Sequence, residues 1–133
     1  MKLIRHLALT IGTALLATAT LGSPSAHASG DAAKGEKVFN KCKACHSTEA
    51  GKNKTGPSLH GVFGRKAGTA EGFTRYKGLD GADWTWDEEH LNEYLKDPKK
   101  YTKLKNGKSA AMVLKLSKES EREDVIAYLK TLK

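Results

Sequence analysis

Five consecutive residues decide how this chain folds: Cys42-Lys43-Ala44-Cys45-His46. Two cysteines separated by two residues and followed at once by a histidine form the C-x-x-C-H pattern of a c-type haem attachment site. On the last turn of a helix, both thiols can reach vinyl groups on one edge of a porphyrin and form thioether bonds. The next residue then lies beneath the ring. We therefore expect one haem c, covalently bound through Cys42 and Cys45, with the His46 imidazole on the iron.

Other sites also use two cysteines, and these alternatives stay open beside haem attachment. A disulfide is the usual state of two cysteines in an exported protein. A C-x-x-C disulfide is typical of thioredoxin-like proteins, which have a βαβ pattern around it, and this sequence lacks that pattern. A structural zinc site needs about four ligands, and the chain offers no further cysteine and no H-x₃₋₅-H pair. The third alternative is an interaction module that carries the motif by coincidence.

The first 28 residues have the features of a secretory signal peptide. A positively charged start precedes residues 7–21, which are apolar and uncharged, and Ala26-His27-Ala28 fits a small-residue cleavage site. The apolar run is shorter than the about 20 residues that span a bilayer. We expect cleavage after Ala28, which leaves a soluble domain of residues 29–133 in the periplasm.

Charge is distributed unevenly along a chain whose formal net charge is +8. Residues 96–118 hold eight lysines and one acid, whereas residues 80–93 hold six acids and no base. This pattern predicts a basic side that can steer an acidic partner, although a plain solvated surface is the alternative for any charge run. Nucleic acid is not an expected partner, because the exported chain shows no recognition motif.

The sequence of the mature chain predicts a helix at its start and a long loop after the C-x-x-C-H motif. Asp31 can cap a helix that runs to about Cys45. Gly35 and Phe39 are four apart and share one face of it, and the glycine there predicts close packing against another helix. Residues 47–70 are punctuated by glycine and proline, which predicts loop.

Two more helices are predicted in the second half of the chain. Thr85 and Glu88 fit a capping box for a helix that ends at Asp97-Pro98, and only a short helical turn is expected at 98–101. Residues 103–116 predict a basic loop that contains Met112. Ser117 or Ser120 begins the last helix, and Ser120 with Glu123 fits a capping box. The apolar stripe of this helix is a partner for the first helix. That stripe consists of Val125, Leu129 and Leu132.

Taken in order, these stretches resemble class I cytochrome c, and in particular its soluble bacterial members. The resemblance rests on residues 30–35 leading to Phe39, then 42–46, 55–61, 63–66, 72–74, 92–95, 98–101 and 121–130. It implies an all-α fold in which the N-terminal and C-terminal helices cross and loops wrap around one covalently bound haem.

The resemblance also implies roles for individual residues. Cys42 and Cys45 would carry the haem, and His46 would be an axial ligand that donates a hydrogen bond to the carbonyl of Pro57. The remaining matches are Arg65 and Trp86 at positions that contact the haem propionates, Tyr94 at a tyrosine beside the methionine sulfur, and Met112 at the second axial ligand. Met112 is the only methionine after the signal segment, although composition alone would make it core filler.

Two departures from the family bear on the loop before residue 80. Arg75 stands where the family often has a tyrosine, and Leu79 replaces a polar residue found in some members. Propionate contacts from that loop are therefore not implied.

The function implied is one-electron transport rather than catalysis, because two strong axial ligands leave no position for a substrate. The expected partners are membrane or periplasmic redox complexes with acidic docking surfaces, and the protein is expected to be a monomer without stable membrane insertion. The alternative is a haem protein with an open sixth position, either a peroxidase-like enzyme or a gas-binding sensor. His60 and His90 are the other histidines of the mature chain; the sequence places neither over the haem, and ligation of the iron by a second histidine is a further alternative.

Overall fold

Four α-helices carry the fold in the computed structural model, which describes residues 30–133. They are α1 (Ala32–Phe39), α2 (Glu88–Lys96), α3 (Pro98–Asn106) and α4 (Glu119–Leu129). Within the described residues there is no strand, only an isolated bridge between Lys66 and Thr85. The all-α prediction is confirmed. The predicted signal peptide, residues 1–28, lies outside the described residues.

None of the helices in residues 30–133 is long and apolar enough to cross a membrane.

Helix α1 begins as predicted and ends earlier than predicted. The Asp31 carboxylate accepts hydrogen bonds from the backbone N–H groups of Ala33 and Lys34, at 2.9 and 3.1 Å, which satisfies donors that have no partner within the helix. The predicted end at Cys45 is wrong, because the helix stops at Phe39. Residues 40–45 continue as tight turns, in which Cys45 N–H bonds to Cys42 O at 3.1 Å.

Gly35 lets α1 and α4 cross at close range, as the sequence predicts. A Cβ built at this position would overlap the backbone carbonyl of Asp124 on α4. One turn later, the rings of Phe39 and Tyr128 pack with their centroids 5.4 Å apart. The contact between the helices therefore depends on the missing side chain at Gly35.

Gly35→Ala is expected to lower the free energy of unfolding by about 1–3 kcal/mol, the usual cost of overpacking a tight contact. Helix propensity alone predicts the opposite, a gain of about 1 kcal/mol. Denaturant unfolding of the haem-loaded protein measures the change. Glu36→Ala, at an exposed position of the same helix, is the control and should stay within about 0.5 kcal/mol of the parent. Stabilisation by Gly35→Ala would contradict the close-packing explanation.

Helix α2 begins later than the predicted capping box at Thr85 and Glu88. Thr85 is held in extended backbone beside Lys66, since Trp86 N–H bonds to Arg65 O and Ala67 N–H bonds to Trp84 O, both at 2.9 Å. The cap is instead Asp87, whose carboxylate accepts from His90 N–H at 2.8 Å. The predicted end at Asp97-Pro98 is correct.

Helix α3 replaces the single helical turn predicted at 98–101. Pro98 stands at its first position, where a missing N–H is harmless. Asp97 caps its start by accepting from Lys100 N–H at 3.1 Å, and Gly107, in the left-handed conformation, caps its end. The basic loop with Met112 therefore begins at Gly107 rather than at Lys103.

Helix α4 begins before Ser120, one of its two predicted starts, and its N-cap lies one residue after Ser117, the other predicted start. Lys118 occupies the N-cap position without a side-chain hydrogen bond, and Ser120 lies inside the first turn. The prediction of a capping box at Ser120 and Glu123 is therefore wrong. The predicted stripe is correct for Val125 and Leu129, which are both buried.

Candidate cofactor site

A cavity of about 400 Å³ lies between the helices and the loops, and its lining is mostly apolar. All eight residues singled out from the sequence line it: Cys42, Cys45, His46, Pro57, Arg65, Trp86, Tyr94 and Met112. They come from four separate parts of the chain, so the fold alone brings them together. His60 and His90, both in the described part of the chain, are not among the lining residues.

His46 is oriented by the loop that follows it. Its Nδ1 lies 2.7 Å from the carbonyl oxygen of Pro57, and since a carbonyl only accepts, Nδ1 is the donor. The lone pair is then on Nε2, the state in which an imidazole binds metal. A Cβ at Gly56 would come within 2.5 Å of the His46 ring, so the glycine makes room for the ring beside the loop.

Burial keeps the His46 imidazole neutral. It lowers the pKa of His46, the positive charge of Lys54 adds to this effect, and the hydrogen bond to Pro57 opposes it. A neutral ring does not have to lose a proton before it binds a metal ion.

The two thiols stand on the turns between α1 and His46. Both are free, and Cys42 is buried whereas Cys45 is exposed. Burial raises the pKa of the Cys42 thiol, and the nearby Lys41 partly offsets this effect. Each thiol lines the same cavity as His46, so one ligand in the cavity could meet all three residues.

Arg65 is one of the positive groups that line the cavity. Its guanidinium donates from Nη1 to His60 O at 3.0 Å and from Nη2 to Ser58 O at 3.1 Å. Burial lowers the pKa of Arg65, and Tyr76 acts in the opposite direction, yet an arginine remains charged in a protein. It can therefore pair with a carboxylate of a bound ligand.

Aromatic side chains form much of the remaining wall. The ring centroids of Trp86 and Tyr94 lie 4.9 Å apart, and both residues are buried. Burial raises the pKa of the Tyr94 hydroxyl, so this group stays protonated and can donate a hydrogen bond. Met112 lies in the loop between α3 and α4 and is half-buried at the cavity, while its neighbour Val113 is 70% exposed.

The loop of residues 73–79 also lines the cavity, although its residues were not predicted to contact a haem. Arg75 donates a hydrogen bond to the backbone carbonyl of Lys54 and lies over the Phe73 ring, 5.4 Å from its centroid. Gly78 is buried where a Cβ would come within 2.6 Å of the Thr102 side chain. The only sequence signal was the departure of Arg75 and Leu79 from the family pattern.

The residues present fit a haem c. The cavity volume is within the range of about 300–1,000 Å³ for small-molecule and cofactor sites, and its apolar wall suits a porphyrin. Two thiols and a neutral imidazole are available for attachment and ligation, and an arginine is available for propionates.

Comparisons with known proteins agree with this fit. Residues 32–133 match the family described as cytochrome c. The chain is 44% identical to cytochrome c-550 of Paracoccus versutus over 87% of this chain and 84% of that protein, and 42% identical to cytochrome c2 of Rhodospirillum rubrum over 92% and 96%. The solved structure of cytochrome c2 from Rhodospirillum centenum is similar with a TM-score of 0.72 and 42% identity, over 77% of this chain and 98% of that one.

Proposed function

Because the chain belongs to the cytochrome c family and is an electron-transfer protein rather than an enzyme, we propose that it carries single electrons with His46 and Met112 as axial ligands. The haem would be attached to the thiols of Cys42 and Cys45. One observation carries this proposal: both thiols, the imidazole and the thioether line the same apolar cavity.

A haem c in this cavity would supply reversible one-electron exchange between ferric and ferrous iron. Pro57 orients the His46 imidazole and holds its proton on Nδ1, 2.7 Å away. A hydrogen bond of this kind would fix the orientation of the ligand. Little rearrangement of the protein would then be needed for electron exchange.

The other lining residues adjust the potential and hold the haem carboxylates. The thioether of Met112 would favour ferrous iron and raise the reduction potential, and the apolar wall would act in the same direction. Tyr94, with its protonated hydroxyl, would donate a hydrogen bond near the sulfur. Arg65 and Trp86 would contact the propionates.

The same proposal includes location and assembly. Residues 1–28 would direct export and be removed after Ala28, and residues 29–133 would act as a monomer in the periplasm. The family match begins at residue 32, shortly after the proposed cleavage site at Ala28. This supports a domain boundary between residues 28 and 29. Neither nucleic acid nor stable membrane insertion is part of the proposed function.

The proposed partners are redox complexes with acidic docking surfaces, in the periplasm or the membrane. Lys77 is exposed and lines the cavity, and within residues 30–133 it forms no ion pair. Four more exposed lysines stand on α3: Lys99, Lys100, Lys103 and Lys105. Positive charge from Lys77 at the cavity and from the lysines of α3 would attract an acidic partner and orient it.

Electron exchange with an acidic redox protein is expected to slow by about tenfold or more as ionic strength rises from about 0.01 to 0.15 M, because the Debye length shrinks to about 8 Å. Stopped-flow spectroscopy of the haem-loaded protein measures the rate. Lys77→Glu should weaken the salt dependence more than Lys34→Glu, which makes the same charge change on α1 away from the cavity. A salt-independent rate would contradict the docking proposal, and no electron exchange at all would contradict the carrier function.

A further inference from the structure

Arg122, on α4, is a buried charge without a carboxylate partner among residues 30–133. Its side chain is 4% exposed, and no ion pair within residues 30–133 includes it. Burying a charge is costly unless it is paired and hydrogen-bonded. Because burying the guanidinium costs free energy, Arg122 is expected to have a role other than packing.

Neutral oxygen atoms from two other segments surround this guanidinium. Nε donates to the side-chain oxygen of Asn92 on α2 at 2.7 Å. Nη1 donates to the carbonyls of Leu116 and Ser117, at 2.8 and 2.9 Å. Arg122 therefore joins α2, α4 and the end of the loop that contains Met112.

The loop itself has few other restraints. Among the described residues, no backbone N–H or C=O of residues 108–115 takes part in a hydrogen bond. The Lys108 and Lys115 side chains pair with Asp80 and Asp97, at 3.1 and 2.6 Å, but these ion pairs are solvent-exposed and such pairs contribute little. The position of Met112 thus depends on apolar packing and on how firmly the ends of the loop are held.

Leu116 is the most firmly held residue at the C-terminal end of this loop. It is buried, its N–H bonds to Leu95 O at 2.9 Å, and its carbonyl accepts from Arg122. Only three residues separate it from Met112. Segments with few backbone hydrogen bonds open locally at low cost, so loosening Leu116 would release Met112 well before the domain unfolds.

We propose that Arg122 is a positioning residue that holds Met112 in the cavity by fixing Leu116 and Ser117. This inference rests on the proposed function, in which the Met112 sulfur closes one face of the iron. The planar guanidinium presents several donors in a fixed arrangement, whereas a lysine ammonium could not reproduce all three contacts. Arg122 touches neither the cofactor nor the redox partner in this account, and it acts only through the loop.

The test compares Arg122→Met and Arg122→Lys with Ile126→Ala in the haem-loaded protein. Ile126 lies one turn further along α4, is 2% exposed and does not line the cavity, so its truncation destabilises the core but leaves the hydrogen bonds from Arg122 to Leu116 and Ser117 in place. Two readouts apply below the unfolding transition of every variant. They are imidazole binding to the ferric protein and the weak red absorption band of thioether-ligated ferric iron.

Arg122→Met is expected to raise the rate and affinity of imidazole binding at least about tenfold over the parent, with a smaller rise for Arg122→Lys. Ile126→Ala should bind imidazole as the parent does, even where it lowers the unfolding midpoint more. Equal behaviour of the Arg122 variants and Ile126→Ala would overturn the positioning role alone. Absence of the red band in the parent would overturn Met112 ligation, and the inference with it.

Discussion

Replacing both cysteines, Cys42→Ala together with Cys45→Ala, is expected to leave a chain that holds no covalent haem and is largely unfolded. An empty cavity of about 400 Å³ costs on the order of 10 kcal/mol, at about 24 cal/mol per Å³. A domain of this size has a total stability of about 5–15 kcal/mol. The cofactor is therefore expected to supply much of the stability of the fold.

Two measurements check this expectation. Acidic solvent extraction followed by a pyridine haemochrome spectrum shows whether haem stays with the protein, and far-ultraviolet circular dichroism shows whether helices form. Lys43→Ala, an exposed residue within the same motif, is the control and should retain both haem and helices. Haem that resists extraction from the double variant would refute attachment through these thiols. A well-folded variant without haem would refute the dependence of the fold on the cofactor.

Met112→Ala is expected to open one face of the iron while the haem stays covalently bound. The reduced variant should bind carbon monoxide rapidly, and the red band of the ferric protein should disappear. Its reduction potential should fall by a substantial part of the range of about 0.8 V that axial ligands control, because the thioether no longer favours ferrous iron. Val113→Ala changes the exposed neighbour and should leave all three properties as they are in the parent.

This experiment also separates the carrier from a haem protein with an open sixth position. Rapid carbon monoxide binding by the reduced parent would favour the open site. An unchanged spectrum and potential in Met112→Ala would mean that another group closes the iron. His60 and His90, within residues 30–133, do not line the cavity, so neither is positioned to take that place without a rearrangement.

Much of the site was predictable because its chemistry is encoded in short spacings. The C-x-x-C-H motif predicts the attachment points, and the resemblance to the family implied the Pro57 carbonyl as the acceptor for His46, 2.7 Å from its Nδ1. The Asp31 cap and the Gly35 contact followed from equally local rules, namely the preference for a side-chain oxygen at an N-cap and the need for a small residue at a close crossing.

Helix boundaries were less predictable, because partners distant in sequence decide them. Thr85 has the residue type of a cap, yet its pairing with Lys66 keeps it extended and moves the start of α2 to Asp87. The tight turns after Phe39 shorten α1. Helix α3 ends at Asn106, because Gly107 adopts a positive φ there. From the sequence, only a single helical turn ending at Tyr101 was predicted.

The sequence by itself determined the family and the all-α fold and predicted a haem c bound through Cys42 and Cys45, because motifs and helix contacts depend on residue type at short spacing. Only the tertiary structure decided what surrounds Arg122, which in the sequence is one more charged residue of an amphipathic helix. Its burial arises where α2, α4 and the Met112 loop meet. Such a three-way contact depends on distances between segments, and those distances are a property of the folded chain.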